Sequence, residues 1–253
     1  MDFKKKVVLI TGTGAGIGQV CAVRYAECGA SVATNTLNRE RGEKTLAMVR
    51  EAGGEDAVFF QGDVSQTADA ERIVTETIRT FGRLDILINN AGIVLPGRVD
   101  NTSEEEFDRT MAVNVKSVFM MSKFSIQHML KQGSGVIVNV ASTVGLKGVT
   151  ERSAYSASKG AIVALTRAMA IDYIKKNIRV NCVCPGTTMT PSLRDRINAF
   201  ADPVKAMADF VARQPMGRLG DATELANAIL FASWDGVAFL DGAVLPVDGG
   251  QTI

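Results

Sequence analysis

The chain has 253 residues, of which 46% are apolar and 22% charged, with a net charge of +1. That length and apolar share suit one α/β domain with a large core. The balanced charge gives no basis for a nucleic-acid or anionic-membrane partner, and no apolar run nears the ~18 residues that span a bilayer. Val7–Thr11 is a β-branched run ending in Gly-rich sequence, and Ile17–Cys28 follows with helical spacing. Ser31–Asn35 reads as the second strand, Arg39–Ala52 as the second helix, Ala57–Gln61 as the third strand and Thr67–Phe81 as the third helix. Ile86–Asn89 is the fourth strand, and Ser103–Leu130 is a long helical region with room for breaks. Val136–Ala141 is the fifth strand, Ala154–Lys176 one long helix, Arg179–Cys184 the sixth strand and Ala243–Val247 a last short one.

Strand and helix alternating in this way predict right-handed βαβ units and a doubly wound, Rossmann-type parallel sheet. The strands are nearly continuous in apolar residues, as a sheet covered on both faces requires. No linker, repeat or low-complexity tract divides the chain, so residues 1–253 are expected to form a single domain. The charged helical stretch 191–218 follows the sixth strand. Such an insertion lies over the ligand crevice of a doubly wound sheet, which makes it a candidate substrate lid.

Lys4-Lys5-Lys6 reads as a solvated lead-in to the first strand. The apolar run behind it is shorter than the ~7–15 residues of a signal-peptide core, so a cytoplasmic protein is expected. Free thiols follow for Cys21, Cys28, Cys182 and Cys184. Cys182 and Cys184 are read as small strand residues on opposite sides of the sheet, and no metal site is expected. The only histidine, His128, lies in helical sequence and reads as structural, which leaves a Ser-His-Asp hydrolase without its base.

Thr11-Gly12-Thr13-Gly14-Ala15-Gly16-Ile17-Gly18 joins the first strand to the first helix. Glycines there allow a tight turn, and free N–H groups at the helix start bind a pyrophosphate. Tyr155 and Lys159, four residues apart, share one helix face, and Ser142 lies just past the fifth strand. These residues form a candidate acid/base constellation: a phenol that exchanges a proton with a substrate oxygen, and a hydroxyl that steadies that oxygen.

The Thr11-Gly-x-x-x-Gly16-Ile17-Gly18 loop, Asn89-Asn90-Ala91-Gly92, Asn114, Ser142, Tyr155-Ser-Ala-Ser-Lys159 and Pro185-Gly186 stand in the order found in the short-chain dehydrogenase/reductase family. The resemblance runs from about Lys6 to Gly250. It implies an oxidoreductase that moves a hydride between NAD(P) and a secondary alcohol or ketone, with Asn114, Ser142, Tyr155 and Lys159 catalytic. It implies that Lys159 holds the nicotinamide ribose and that Asn114 anchors a water relaying protons from Lys159. Asp63 and Val64 would meet the adenine, Asn90, Ala91 and Gly92 would line the cleft, and Pro185, Gly186, Thr188 and Thr190 would meet the nicotinamide.

At the end of the second strand Thr36 replaces the acid that commonly binds the ribose diol of NAD. Ala15 and Leu37 stand where an NADP enzyme of the family commonly carries a base, and Arg39 and Arg41 are the nearest cations. Between NAD and NADP, the balance leans to NAD. Around Arg152, Arg196 and Arg213 the chain also resembles a branch of β-hydroxybutyrate and keto-deoxy sugar acid dehydrogenases, which implies a small hydroxy acid held by those guanidiniums. The alternative for the arginines is pairing with Asp195, Asp202 and Asp209. The competing functions are an NADPH-dependent 3-ketoacyl thioester or carbonyl reductase and a non-catalytic nucleotide-binding sensor. The family further implies a homotetramer.

Overall fold

In the computed structural model, which describes residues 1–253, seven strands form one parallel sheet in the order β3-β2-β1-β4-β5-β6-β9. They are β1 (Val7–Thr11), β2 (Ser31–Thr36), β3 (Val58–Gln61), β4 (Ile86–Asn89), β5 (Gly135–Val140), β6 (Ile178–Pro185) and β9 (Val244–Val247). The order reverses between β1 and β4. Their carboxyl ends therefore open the crevice where a doubly wound sheet binds its ligand.

Alternation along β1 builds both halves of the core. Val8 and Ile10 join Tyr25, Leu225 and Ile229 on one face, under α1 (Gly16–Glu27) and α9 (Ala222–Ser233). Val7 and Leu9 join Ile73, Met121 and Met169 on the other, under α3 (Thr67–Phe81), α5 (Ser117–Gln132) and α6 (Ser153–Tyr173). The remaining helix beside the sheet is α2 (Arg39–Glu51), which packs against β2. Its first turn is capped by Asn38, which accepts from the Arg41 N–H.

The helical region after β4 does break. Helix α4 (Glu104–Met111) starts at a reciprocal capping box between Ser103 and Glu106. It then widens into a π turn over Ala112–Lys116, where the Ser117 N–H reaches back to Ala112 O, before α5 resumes. Asn114 lies in that turn and is fully buried. The long helix near the chain centre gives way to a tighter turn at Ile174–Lys176.

After β6 the chain forms β7 (Thr188–Met189), α7 (Pro191–Asn198), α8 (Pro203–Ala212) and β8 (Gly220–Asp221). β7 and β8 pair with each other outside the main sheet. Helices α7 and α8 share a small apolar cluster of Leu193, Ile197 and Ala206. Neither the β7–β8 pair nor α9 was expected from the sequence, although Asp221 and Glu224 form a capping box at the start of α9.

The expectation that Cys182 and Cys184 face opposite sides is corrected. A two-residue step along a strand returns to the same face, and their sulfurs lie 3.8 Å apart in one buried cluster with Val118, Ala141 and Ile162. No helix is long and apolar enough to cross a membrane.

Candidate active site

The carboxyl ends of β1 and β4 are tied together by side chains. Thr11 Oγ1 accepts from the Asn90 and Ala91 N–H groups, both at 3.1 Å. Asn90 Nδ2 donates to the carbonyls of Thr11 and Gly12, both at 3.0 Å. This lock leaves no room for a side chain on the loop. A Cβ on Gly12, whose φ is 70°, would sit 2.7 Å from Ala91 Cα, and one on Gly18 would sit 2.3 Å from Asn90 Nδ2.

The first turn of α1 is open to an anion. Its N-cap residue, Ala15, has no side chain to cap the turn, and the turn carries no acid. Unclaimed N–H groups and the positive end of the helix therefore face the crevice, and they fit the pyrophosphate of a nicotinamide dinucleotide.

The crevice has a volume of about 300 Å³ and runs from this loop to the Tyr155–Lys159 face of α6. It gathers Gly12, Gly16, Ile17, Asn90, Ala91, Gly92, Ser142, Tyr155, Lys159, Pro185, Gly186, Thr188 and Thr190. All were singled out from the sequence. Ala15, Ile93, Val94, Val140, Ala141, Pro191 and Ser192 line it as well. Of these, Ala15 lies in the Gly-rich loop and Pro191 and Ser192 in the expected lid; Ile93, Val94, Val140 and Ala141 were missed, although each adjoins a strand end or a motif residue.

The other expected residues lie beside the crevice. Gly18 is buried behind the loop. Thr36 stands half-buried at the end of β2, with its hydroxyl 2.8 Å from where a Cβ on Gly14 would be. Asp63 Oδ1 is engaged by the N–H and hydroxyl of Ser65 at 2.9 and 2.7 Å. The Val64 side chain is buried in the core.

Asn114 is committed through every donor it has. Its Oδ1 accepts from the Ile93 N–H at 2.8 Å, and Nδ2 donates to Ile93 O and Ser158 Oγ, both at 3.0 Å. It thereby ties the wall of the crevice to α6. Lys159 is 4% exposed, and its Nζ donates to Val140 O at 2.9 Å. Burial holds its pKa down at about 8.

Burial raises the pKa of the Tyr155 phenol, while the Ser142 hydroxyl and the charges of Arg196 and Arg152 pull it back. Lys159 Nζ lies 5.7 Å from the centroid of the same ring. Burial lowers the pKa of Arg196, as does its neighbour Arg152.

The backbone of Arg152 is pinned where Gly97 bridges to it, and its Nη1 donates to Glu151 O at 2.6 Å. The Nε of Arg196 is buried without a partner. Pairing of the arginines with Asp195, Asp202 and Asp209 is not realised: no ion pair involves Arg152, Arg196 or Arg213. Asp202 instead caps α8. Arg213, at the end of α8, is exposed and stacks over Phe210 at 4.9 Å. His128 lies in a separate pocket beside Phe81 and Lys131.

A parallel sheet with this switch-point crevice, lined by Ser142, Tyr155 and Lys159 with Asn114 buried behind its wall, fits a Rossmann-type dinucleotide-dependent oxidoreductase. The family model described as enoyl-(acyl carrier protein) reductase matches residues 12–252. An uncharacterized oxidoreductase of Thermotoga maritima is 52% identical, over 100% of this chain and 99% of its own length. The 2-(S)-hydroxypropyl-CoM dehydrogenase 3 of Xanthobacter autotrophicus is 41% identical, over 98% and 97%. The crystal structure of NAD+-bound xylitol dehydrogenase superposes with a TM-score of 0.93 at 35% identity, covering 99% of this chain and 100% of that one. The chain belongs to the short-chain dehydrogenase/reductase family. It is an oxidoreductase that acts on secondary alcohols, or the matching carbonyls, with NAD or NADP.

Proposed function

We propose that this chain interconverts a small hydroxy acid, or a sugar-derived acid, and its keto form. The observation that carries this reading is the pair Arg152 and Arg196. Both lie close enough to Tyr155 to act on its phenol, neither has an ion-pair partner, and Arg196 Nε is buried with no acceptor. Two like charges beside one another without a counter-ion are stabilised by an anionic substrate group, and a guanidinium meets a carboxylate with two parallel hydrogen bonds. Arg213 belongs to this site only if α7 and α8 close over the crevice as a lid spanning 191–218.

In this reading Tyr155 takes the proton from the substrate hydroxyl, or returns it to the keto oxygen, at its phenolic oxygen. Ser142 donates a hydrogen bond to the same substrate oxygen as charge develops there. Lys159 holds the nicotinamide ribose hydroxyls from its buried position. When bound, the dinucleotide supplies or accepts the hydride. The expected contacts of Asp63 with adenine and of Thr190 with the carboxamide are part of the same proposal. Gly92 keeps a gap between Asn114 and Lys159. A Cβ there would sit 3.2 Å from Asn114 Oδ1 and 3.5 Å from Lys159 Nζ. With both amide protons of Asn114 engaged, a relay water would use the remaining Oδ1 lone pair or the main chain of the π turn.

The lean to NAD rests on the missing phosphate clamp at Ala15 and Leu37. One observation favours the NADP-dependent reductase as a second reading. Arg41 has no ion-pair partner, and its Cβ shares with Thr36 the space in front of Gly14, whereas Arg39 pairs with Glu43 at 3.5 Å. A homotetramer is supported by the apolar groove of Met111, Val115, Phe119 and Leu165 along α4, the π turn, α5 and α6. We assign the chain to the cytoplasm on its free thiols.

The test is initial rates with NAD and NADP against hydroxy acids, polyols and neutral secondary alcohols, in wild type, Tyr155→Phe and Arg196→Leu. Tyr155→Phe should abolish turnover while cofactor binding persists. Arg196→Leu should raise KM for acids by about tenfold or more and leave the KM of neutral alcohols nearly unchanged, with only a shift in their pH profile. Equal effects on both substrate classes would sink the anion site, and near-normal turnover by Tyr155→Phe would sink the acid/base assignment.

A further inference from the structure

Ser142 lies at the start of a short helical turn, and little in its own conformation fixes it. Its backbone is extended, and its hydroxyl accepts from the Val144 N–H at a long 3.4 Å. The turn behind it closes on itself, with the Gly145 N–H donating to Ser142 O at 3.0 Å and the Leu146 and Lys147 N–H groups donating to Thr143 O at 2.9 and 3.0 Å. What places this unit against Tyr155 must come from outside it.

One side is supplied by α6. A Cβ on Gly145 would lie 2.7 Å from the carbonyl carbon of Lys159, so the turn is seated directly on the helix backbone. The other side is supplied from more than a hundred residues away, by Gln251. Thr143 is 3% exposed, and its hydroxyl donates to Gln251 Oε1 at 2.9 Å. Lys147 Nζ donates to Gln251 O at 2.5 Å. One residue thus grips both ends of the turn that carries Ser142. Gln251 is itself held. Asp248 Oδ1 accepts from the Gly250 N–H at 3.0 Å, and Asp248 Oδ2 accepts from the Thr252 hydroxyl at 2.6 Å.

We infer that Gln251 is a positioning residue for the reaction: it clamps the Thr143–Lys147 turn against α6 and so aims the Ser142 hydroxyl at the oxygen that Tyr155 serves. The inference rests on the acid/base reading of Ser142 and Tyr155 given above. Without the Gln251 side chain, the turn loses its bond at Thr143 but keeps the Lys147 bond to the main chain of residue 251, its internal hydrogen bonds and its seat on α6. The protein stays folded, and what is lost is the aim of one hydroxyl.

The experiment is a double-substitution cycle read by kcat, with cofactor affinity and thermal stability measured alongside. Gln251→Ala and, separately, Thr143→Val should each lower kcat by about tenfold, because a donor to the developing oxyanion is displaced rather than removed. Cofactor Kd should hold within about twofold and Tm within about 2 °C. Thr143→Ser keeps the donor and should restore most of the rate. In a Ser142→Ala background, followed by single-turnover absorbance of the reduced nicotinamide, Gln251→Ala should cost less than about twofold more, since no hydroxyl is left to aim.

A fall of the same size in both backgrounds, or a fall that tracks Tm, makes Gln251 merely structural and overturns the inference. Unchanged kcat in Gln251→Ala overturns it as well. If Ser142→Ala and Tyr155→Phe themselves keep wild-type rates, the failure lies in the acid/base reading and not in the clamp alone.

Discussion

Replacing Asn114 with alanine separates two uses of one buried side chain. Asn114 has no exposed surface and makes three hydrogen bonds, at 2.8, 3.0 and 3.0 Å, that join Ile93 to Ser158. Each bond contributes about 1 kcal/mol net, and a buried group left without a partner costs about 1–3 kcal/mol. Ile93 is half-buried and lines the crevice, so water can recover part of what it loses, whereas Ser158 is fully buried but keeps its own bond to Tyr155 O at 2.7 Å. The balance is a loss of about 3–4 kcal/mol. For a chain of this size that corresponds to a fall in Tm of about 6–16 °C by differential scanning calorimetry. The freed Ile93 segment should also weaken cofactor binding in a fluorescence titration, because Gly92, Ile93 and Val94 form one wall of the crevice. A drop in Tm below about 2 °C, with cofactor affinity intact, would refute the reasoning. It would mean that the side chain serves the proton path alone.

Removing a positive charge beside Tyr155 should raise its pKa, since the cation favours the phenolate. In Arg196→Leu the rising limb of kcat/KM for oxidation of a neutral alcohol should therefore move to higher pH; an unmoved limb, or one moved down, counts against the arginine field. Gly18→Ala places a Cβ 2.3 Å from Asn90 Nδ2 and 2.5 Å from Gly12 O, so the loop must shift and the KM for cofactor should rise by about tenfold or more, with an unchanged value arguing against the β1–β4 lock. Arg41→Ser should weaken NADP and leave NAD nearly unchanged if Arg41 meets a 2′-phosphate; equal effects on the two cofactors would remove that role.

The fold was legible because strand and helix signals repeat along the chain and agree with one another. Val7–Thr11 was placed to the residue, since a β-branched run ends there at a glycine with positive φ. The crevice was legible for a related reason: the positions that bring backbone close to a ligand tolerate only glycine or a small residue, and those stand out in sequence. The π turn at Asn114 was foreseen only as room for a break. Ala112–Lys116 holds no Gly or Pro to mark the break; Val113, Asn114 and Val115 are weak helix formers, and Asn114 is tied to Ile93 and Ser158. The arginines show where sequence stops. Arg152, Arg196 and Arg213 look equivalent by residue type, yet Arg196 is half-buried near the phenol, while Arg213 lies exposed over Phe210. That difference lies in side-chain direction, which neither composition nor spacing encodes.

The electrostatics of the site give one further reason to read it as built for an anion. Lys159 is buried and held down at about 8, so close to neutrality a fraction of it has already lost its charge. Positive charge near Tyr155 is also carried by the guanidiniums of Arg152 and Arg196. A site that needed only to ease deprotonation of a phenol could use one such group in contact with water. Here there are two, neither has an ion-pair partner, and one has a donor shut away from solvent. A buried donor without a protein acceptor favours a ligand that brings one. A neutral alcohol can accept one hydrogen bond from Arg196 but brings no charge, whereas a carboxylate on the substrate can accept from Arg196 Nε and also offset the two like charges.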